Sequence, residues 1–189
     1  TWNPSIVSKV MRIAEEHAPA AVPALAILFF AGLRPDECRR LSWDAIDLEG
    51  GEIALTGNVT KTRTMRHVEI SSNLRAWLVA YRSRGPVMPS PGRFRRLREE
   101  VTRRAGLGGW PVDVARHTFA TALYRQTGDA GKVMAQLGHF GSAGTFTRHY
   151  KGVPVSKADA ERFWSIRPGQ NIKALKFSKR GEEPKEVGA

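Results

Sequence analysis

Cysteine is nearly absent from this sequence, since Cys38 is the one thiol among 189 residues. A single cysteine excludes an intramolecular disulfide framework and a zinc site built from several thiolates, and it favours a reducing compartment. Long apolar runs are missing too, because the longest, 18–33, contains Pro19 and Pro23 and is shorter than the roughly 20 residues that cross a membrane. No charged-then-apolar signal pattern opens the chain. We therefore expect a cytoplasmic protein without a membrane partner.

Acidic residues are scarce relative to basic ones. The chain has 18 Asp and Glu against 30 Lys and Arg, and the difference, 30 − 18, is a formal net charge of +12. Such an excess favours a polyanionic partner, with nucleic acid as the first candidate. Hydrophobic residues make up 41% of the chain, which is enough for a packed core and excludes wholesale disorder. The length suits one globular domain or at most two small ones.

The pattern of apolar residues predicts a mainly α-helical fold with one small antiparallel β-sheet. The apolar stretch 22–31 is typical of a helix buried at the centre of a domain. Glu52–Thr56 and Arg66–Ile70 are predicted to be two strands joined by a polar turn. Residues 167–189 are basic and poor in large apolar side chains, so we expect a flexible tail. The other predicted helices are one that begins near Asn3 or Ser5, a short one from Pro35, and 72–84, 93–104, 113–126, 129–137, 144–150 and 156–164.

Four short segments carry residue types that phosphate chemistry uses, although each has an ordinary explanation when taken alone. In 31–37 an arginine follows the buried helix, where a solvated loop arginine is the alternative. In 58–63 a lysine lies in the turn between the two strands, where a merely solvated charge is the alternative. The segment 113–121 begins a helix, and the alternative makes its arginine a surface residue. The segment 137–139 ends in a histidine, with a tyrosine eleven positions later, where the glycine alone could be a helix C-cap.

Together and in this order, these segments resemble the catalytic domain of the tyrosine recombinases, the phage-integrase family of site-specific DNA strand-exchange enzymes. The resemblance extends from the first helix to about Trp164. It implies a catalytic domain over 1–166, DNA cleavage and rejoining through a covalent 3′-phosphotyrosyl intermediate, and no metal or cofactor. Members normally carry an N-terminal DNA-binding domain, which we expect this chain to lack. The motifs are Gly32-Leu33-Arg34-Pro35-Asp36-Glu37, Arg116-His117-Thr118-Phe119-Ala120-Thr121, and Leu137-Gly138-His139 followed by His149-Tyr150.

The resemblance also implies roles for individual residues. Arg34 and Arg116 would bind the scissile phosphate, because paired guanidiniums neutralise the charge that develops on its oxygens and stay protonated. The other catalytic positions are Lys61 as the acid that protonates the leaving oxygen, His139 beside the phosphate, and Tyr150 as the nucleophile. The expected supporting residues are Glu37, Asp113 and His117.

Asp113 departs from the family pattern, which usually has histidine, or sometimes lysine, three residues before the second arginine. An aspartate cannot donate a charged hydrogen bond to a phosphate oxygen. One explanation is that Asp113 caps the following helix and orients Arg116 or its neighbours. The other is that this chain is a slow or inactive member. The spacing from His139 to Tyr150 is also slightly longer than is common in the family.

Arginines are concentrated in the segment 93–104, which contains six of them against two glutamates. If Phe94, Leu97 and Val101 face inward, several arginines must face outward along one helix. A solvated charged face is the alternative, but this density favours contacts with phosphates. The predicted DNA-binding residues are Arg63, Arg93, Arg95, Arg96, Arg103 and Arg104.

The expected partner is double-stranded DNA, with the protein located on the nucleoid of a bacterium or derived from a phage. By the resemblance, four copies assemble on two paired DNA sites, while the isolated domain is a monomer. The last helix, 156–164, is expected to dock on its own chain, or to be loosely held, in the isolated domain and to dock on a neighbouring copy in the tetramer. Two other functions stay open, a catalytically weak or inactive DNA-binding module and a DNA-relaxing enzyme similar to type IB topoisomerases.

Overall fold

Helices dominate the computed structural model, which describes residues 1–57, 65–138 and 155–169. They pack around a small antiparallel sheet, so the mainly α-helical fold expected from the sequence is confirmed. None of the helices in these ranges combines the length and the apolar character that crossing a bilayer requires. The helices are α1 (Pro4–His17), α2 (Val22–Phe30), α3 (Pro35–Arg40), α4 (Ser72–Ala80), α5 (Pro91–Arg104), α6 (Val114–Thr127), α7 (Ala130–Leu137) and α8 (Lys157–Ser165), with short 3₁₀ turns at Pro19–Ala21 and Trp43–Ala45.

Helix α2 forms the centre of the core because its sequence is apolar on every side. All nine of its residues are buried, and the helix packs against α1, α4 and α6. Removing this much apolar surface from water is the main favourable contribution to folding. The ring of Phe29 stacks against Trp2 and lies 5.7 Å from the ring of Trp110. The central buried helix predicted from the apolar run is therefore confirmed.

The sheet contains three antiparallel strands in sequence order. Ile53 pairs with Val68, and both are buried, while Leu55 pairs with Arg66. Two of the strands are the predicted ones, each a residue shorter at its end. The first strand was not predicted, because two residues are too few to show an alternating pattern. The strands are β1 (Ile46–Asp47), β2 (Glu52–Leu55) and β3 (Arg66–Glu69).

Several predicted helix boundaries move in the structure, and local chemistry explains three of the shifts. Helix α4 ends at Ala80 rather than at 84, because the exposed residues 82–84 offer no apolar side chain to hold another turn. Helix α5 begins at Pro91 rather than at 93, since proline suits the first turn. Helix α6 runs to Thr127 and stops at a glycine with positive φ. The predicted helix 144–150 lies outside the described residues.

Helix α8 packs against the body of its own chain. Ser156 and Asp159 form a reciprocal capping box at its start, as their spacing predicts. Phe163 is buried, with its ring 5.2 Å from the ring of Phe30. At the other end, the Trp77 indole donates a hydrogen bond of 3.1 Å to the carbonyl of residue 166. Docking on its own chain is therefore confirmed, and docking on a neighbouring copy stays a prediction.

Candidate active site

The connection between α2 and α3 places Arg34 at the edge of the core. Gly32 turns the chain there with a φ of +65°, which glycine adopts without strain. A Cβ at this position would lie 3.0 Å from the side chain of Leu137, so the turn also needs the small residue for space. Arg34 then occupies the N-cap position of α3, and Pro35 begins the helix. The Arg34 side chain is 29% exposed, so solvent and ligands can reach it.

Glu37, in the first turn of α3, is a buried carboxylate that is 1% exposed. Arg34 donates its backbone N–H to it over 2.9 Å and its Nη1 over 3.3 Å. Arg66, at the start of β3, donates Nη1 and Nη2, each over 2.9 Å. Burial by itself would raise the pKa of Glu37, but the hydrogen bonds from Arg66 and from the Arg34 backbone outweigh burial and hold that pKa below its ordinary value. Glu37 is therefore ionised at neutral pH.

Arg116 lies in the first turn of α6 and joins the ends of two other helices. Its side chain is 6% exposed. Nη1 donates to the carbonyl of Gly32 over 2.6 Å, and Nη2 donates to the carbonyl of Leu137 over 2.7 Å. Burial, together with the charges of the nearby Arg34 and Arg66, lowers the pKa of Arg116 to about 10. The guanidinium still carries its proton at neutral pH.

The C-terminus of α7 contacts both Arg66 and Arg116. Gly138 caps this helix in the left-handed conformation, with a φ of +62°. A Cβ on Gly138 would lie 2.7 Å from Nη1 of Arg66 and 2.9 Å from its Nε. The guanidinium of Arg66 is therefore packed directly against the glycine backbone. Strand β3, helix α3 and the end of α7 meet at this one side chain.

We call Arg34, Arg66, Arg116 and Glu37 the arginine cluster. Three positive charges and one negative charge leave it a formal net charge of +2. Guanidiniums match the geometry of tetrahedral oxyanions, so the cluster suits a phosphate group. Groups of His, Cys, Asp and Glu that could hold a metal ion are not found within the residues the structure describes.

A sequence model of the Phage integrase family matches residues 4–154, a stretch that contains the whole arginine cluster and well over half of the chain. The chain belongs to the phage integrase family. The resemblance to a tyrosine recombinase catalytic domain is thereby confirmed. The tyrosine recombinase XerC of Xylella fastidiosa, in strains M23 and Temecula1, is 28% identical over 126 residues, a match that covers 61% of this chain and 43% of XerC. The chain thus spans less than half the length of these relatives.

Solved structures of other family members share the fold. XerA recombinase superposes with a TM-score of 0.64 at 22% identity, covering 87% of this chain and 64% of XerA. The catalytic domain of bacteriophage HP1 integrase superposes with a TM-score of 0.62 at 21% identity, covering 84% of this chain and 91% of the HP1 domain. XerH recombinase, solved bound to its difH substrate, superposes with a TM-score of 0.60 at 22% identity, covering 80% of this chain and 50% of XerH. The integrase catalytic fold is therefore established for this chain.

Only some of the site residues expected in this integrase domain can be located in the structure. It brings Arg34, Glu37 and Arg116 into one cluster. His117 is exposed on α6, next to Arg116 in sequence. The expected site residues that lie outside the described ranges are Lys61, Arg63, His139 and Tyr150.

Asp113 occupies the N-cap position of α6, as expected, but the expectation that its side chain caps this helix is wrong. The residue has a left-handed backbone with a φ of +52°, and its side chain makes no capping hydrogen bond. Side-chain capping is typical of an extended backbone, which Asp113 does not have. The N–H of His117 instead bonds to the backbone carbonyl of Asp113 over 2.9 Å. Burial and the other charges of the arginine cluster have the largest effects on the pKa of Arg116. The negative charge of Asp113 has a smaller effect and acts to raise that pKa.

Arg66 is the member of the cluster that the sequence analysis missed. Alternation along β3 puts Arg66 on the same face as the buried Val68. A charged side chain on the buried face of a strand needs a buried partner of opposite charge, and this was the available signal. The partner, Glu37, lies 29 positions earlier, so no local pattern connects the two.

Five of the six arginines of α5 are exposed, as their pattern predicts, whereas Arg98 is half-buried with its guanidinium 5.6 Å from the centre of the Trp110 ring. Three of them pair with glutamates of the same helix, Arg103 and Arg104 with Glu100, and Arg95 with Glu99 at 3.9 Å. Exposed pairs of this kind contribute about 0–1 kcal/mol, so a phosphate can replace the carboxylate. The α5 residues predicted to bind DNA are Arg93, Arg95, Arg96, Arg103 and Arg104, and all are exposed.

Proposed function

We propose that this chain cuts and rejoins double-stranded DNA at specific sites through a covalent 3′-phosphotyrosyl intermediate on Tyr150. The observation that carries the proposal is the arginine cluster, whose excess positive charge suits the phosphate of a DNA backbone. Membership of the phage integrase family supports the same reaction. The proposal extends to the positions outside the described residues, Lys61 and His139.

In the proposed reaction, Arg34 and Arg116 donate hydrogen bonds to the non-bridging oxygens of the scissile phosphate. The Tyr150 oxygen attacks phosphorus and loses its proton, the bond from phosphorus to the 5′ oxygen breaks, and Lys61 protonates that oxygen. His139 holds a non-bridging oxygen and assists proton transfer. Rejoining reverses these steps with the 5′-hydroxyl of another strand. Each donor to the developing charge is worth on the order of 10²–10³ in rate.

The exposed arginines of α5, together with Arg63, are proposed to hold the DNA backbone. Such contacts add affinity and fix the orientation of the duplex without selecting a sequence. The weak ion pairs with Glu99 and Glu100 leave these side chains able to exchange partners. We further propose that the isolated domain is a monomer and that four copies assemble on two paired sites.

A catalytically inactive DNA-binding module is the second candidate, and Asp113 is the observation that favours it. The residue is exposed, carries no capping hydrogen bond, and stands where a phosphate-binding cation is common in the family. A carboxylate there opposes an incoming phosphate unless Arg116 neutralises it. Both candidates bind DNA, so only the covalent step separates them.

Covalent trapping on nicked DNA tests the proposal. The chain is incubated with a pool of duplexes of random sequence that all carry a nick at the same position. In duplexes whose cleavage position lies next to the nick, the released fragment diffuses away and the adduct accumulates. We expect a denaturant-resistant protein–DNA adduct with the parent protein and none with Tyr150→Phe. Adduct formation by Tyr150→Phe would contradict the assignment, and DNA binding without any adduct would favour the inactive module.

The other two tyrosines of the chain provide matched controls. Burial and the charge of Glu15 raise the pKa of Tyr81 to about 12, so its hydroxyl stays protonated at neutral pH. We expect Tyr81→Phe and Tyr124→Phe to form the adduct as the parent does. An adduct that also exchanges strands between two selected sites identifies a recombinase, whereas relaxation of supercoiled DNA without exchange identifies a topoisomerase-like enzyme.

A further inference from the structure

We propose that Arg66 is a positioning residue that saturates the Glu37 carboxylate and so leaves the Arg34 guanidinium available to the scissile phosphate. The inference rests on the proposed function, because it assigns Arg34 to that phosphate. It gives a task to a side chain that belongs to none of the sequence motifs above.

The charge of Arg66 is neutralised by a buried carboxylate, whereas the terminal nitrogens of Arg116 donate to neutral backbone carbonyls. The Arg66 side chain is 13% exposed, and both terminal nitrogens contact Glu37 at 2.9 Å. Its Nε is buried without a hydrogen-bond partner among the described residues, at the side where Gly138 packs against the guanidinium. A guanidinium whose charge is paired with a buried carboxylate and whose Nε is covered acts on its neighbours rather than on a ligand.

The hydrogen-bonding capacity of Glu37 shows what Arg66 does for Arg34. An ionised carboxylate accepts about four hydrogen bonds. Arg66 fills two of these positions, and the backbone N–H of Arg34 fills a third. Nη1 of Arg34 takes the remaining one, at 3.3 Å, the longest of the four distances. The Arg34 side chain therefore touches Glu37 with one nitrogen and is not drawn into a bidentate pair.

Removing Arg66 would free two positions on a buried carboxylate. A buried charge without partners is unfavourable, so the nearest mobile cation moves toward it. Arg34 is that cation, and its guanidinium can form a bidentate pair with Glu37. Its charge would then be neutralised and its donors turned away from the phosphate. Misplacement of a phosphate-binding group slows the reaction on the order of 10²-fold, whereas DNA affinity, which rests on many phosphate contacts, changes little.

Four variants separate this role from plain charge and plain stability. Arg66→Met removes both the charge and the hydrogen bonds, while Arg66→Lys keeps the charge and loses the two-pronged contact. Adding Glu37→Gln to Arg66→Met removes the carboxylate that would attract Arg34. Arg82→Met, at an exposed position after α4, is the control with the same change in net charge.

The readout is the rate of adduct formation on nicked duplexes that the parent protein has selected. Each duplex is prepared with an ordinary phosphate or with a methylphosphonate at the scissile position. The methylphosphonate lacks one anionic oxygen, so its reaction depends less on a guanidinium. A variant that acts through Arg34 must therefore lose rate on the phosphate and keep most of the parent rate on the methylphosphonate.

We expect Arg66→Met to be slower on the order of 10²-fold on the phosphate, Arg66→Lys to be slowed less, and Arg82→Met to match the parent. Glu37→Gln should restore about tenfold or more of the rate lost by Arg66→Met. Equal slowing on both substrates, or an Arg66→Lys variant as fast as the parent, would overturn the proposal. If Arg66→Met proves too unstable to purify, the rates of Arg66→Lys and of Arg66→Met with Glu37→Gln still test the positioning role.

Sulfate binding separates a failure of this inference from a failure of the proposed function. An anion that binds the folded state raises the unfolding temperature, and this can be measured against chloride at equal ionic strength. If the parent forms no adduct on any duplex, the proposed function fails and the sulfate measurement alone decides the role of Arg66. Sulfate should then stabilise the parent and Arg82→Met more than either single Arg66 variant, and equal stabilisation of all four would overturn the positioning role.

Discussion

One added methyl group at Gly138 tests the geometry of the arginine cluster. A Cβ there would lie 2.7 Å from Nη1 of Arg66, which is closer than real side chains approach. A free arginine could move away at little cost, but this guanidinium is held by two hydrogen bonds to the buried Glu37. Gly138→Ala must therefore displace the end of α7 or weaken the contact between Arg66 and Glu37.

The magnitude follows from comparison with Gly128. Both glycines cap a helix in the left-handed conformation, with φ of +62° at Gly138 and +67° at Gly128, but none of the described residues comes within 4 Å of a Cβ at Gly128. Alanine in this conformation costs about 1–2 kcal/mol at either site. A weakened hydrogen bond to a charged group adds about 1–3 kcal/mol at Gly138 only. We expect Gly138→Ala to lower the free energy of unfolding by about 2–5 kcal/mol.

Urea titration of both variants measures these free energies. The difference between Gly138→Ala and Gly128→Ala should exceed about 1 kcal/mol and should disappear when both are made in an Arg66→Met background. Equal losses in the two variants of the parent protein would refute the packing of Arg66 against Gly138.

Three further predictions concern acid stability, the core and the DNA surface. Because the pKa of Glu37 lies below its ordinary value of 4.5 in the folded state, its stabilisation is present above that value and is lost as pH falls through the lowered pKa. Glu37→Gln should therefore flatten the acid side of the curve of unfolding free energy against pH, and an unchanged slope would contradict this. Phe163→Ala should cost about 3–5 kcal/mol in urea titration, against less than about 0.5 kcal/mol for the exposed Val79→Ala, and a small loss at Phe163 would mean that α8 is not docked on its own chain. Arg93→Ala and Arg96→Ala should each reduce the slope of log affinity against log salt by about 1 in DNA-binding titrations, and slopes equal to the parent's would remove these residues from the interface.

Local sequence patterns predicted those helices and strands whose signals lie within a few neighbouring residues. The uniformly apolar α2, the proline that begins α3 and the capping box of α8 each depend on residues within a few positions of one another. The two-residue β1 had no such pattern and was missed. The left-handed backbone of Asp113 was missed as well, because aspartate suits an N-cap in most sequences, and its actual conformation depends on the loop that precedes α6.

The sequence by itself determined the integrase family, the helical class and three members of the arginine cluster, because short motifs identify these without knowledge of distances. Only the tertiary structure decided that Arg66 shares the carboxylate of Glu37, and that Gly138 leaves room for its guanidinium. The physical reason is that a buried ion pair is a contact between distant segments. Its partners are selected by where β3, α3 and α7 pack, and packing follows from the whole core rather than from any stretch of neighbouring residues.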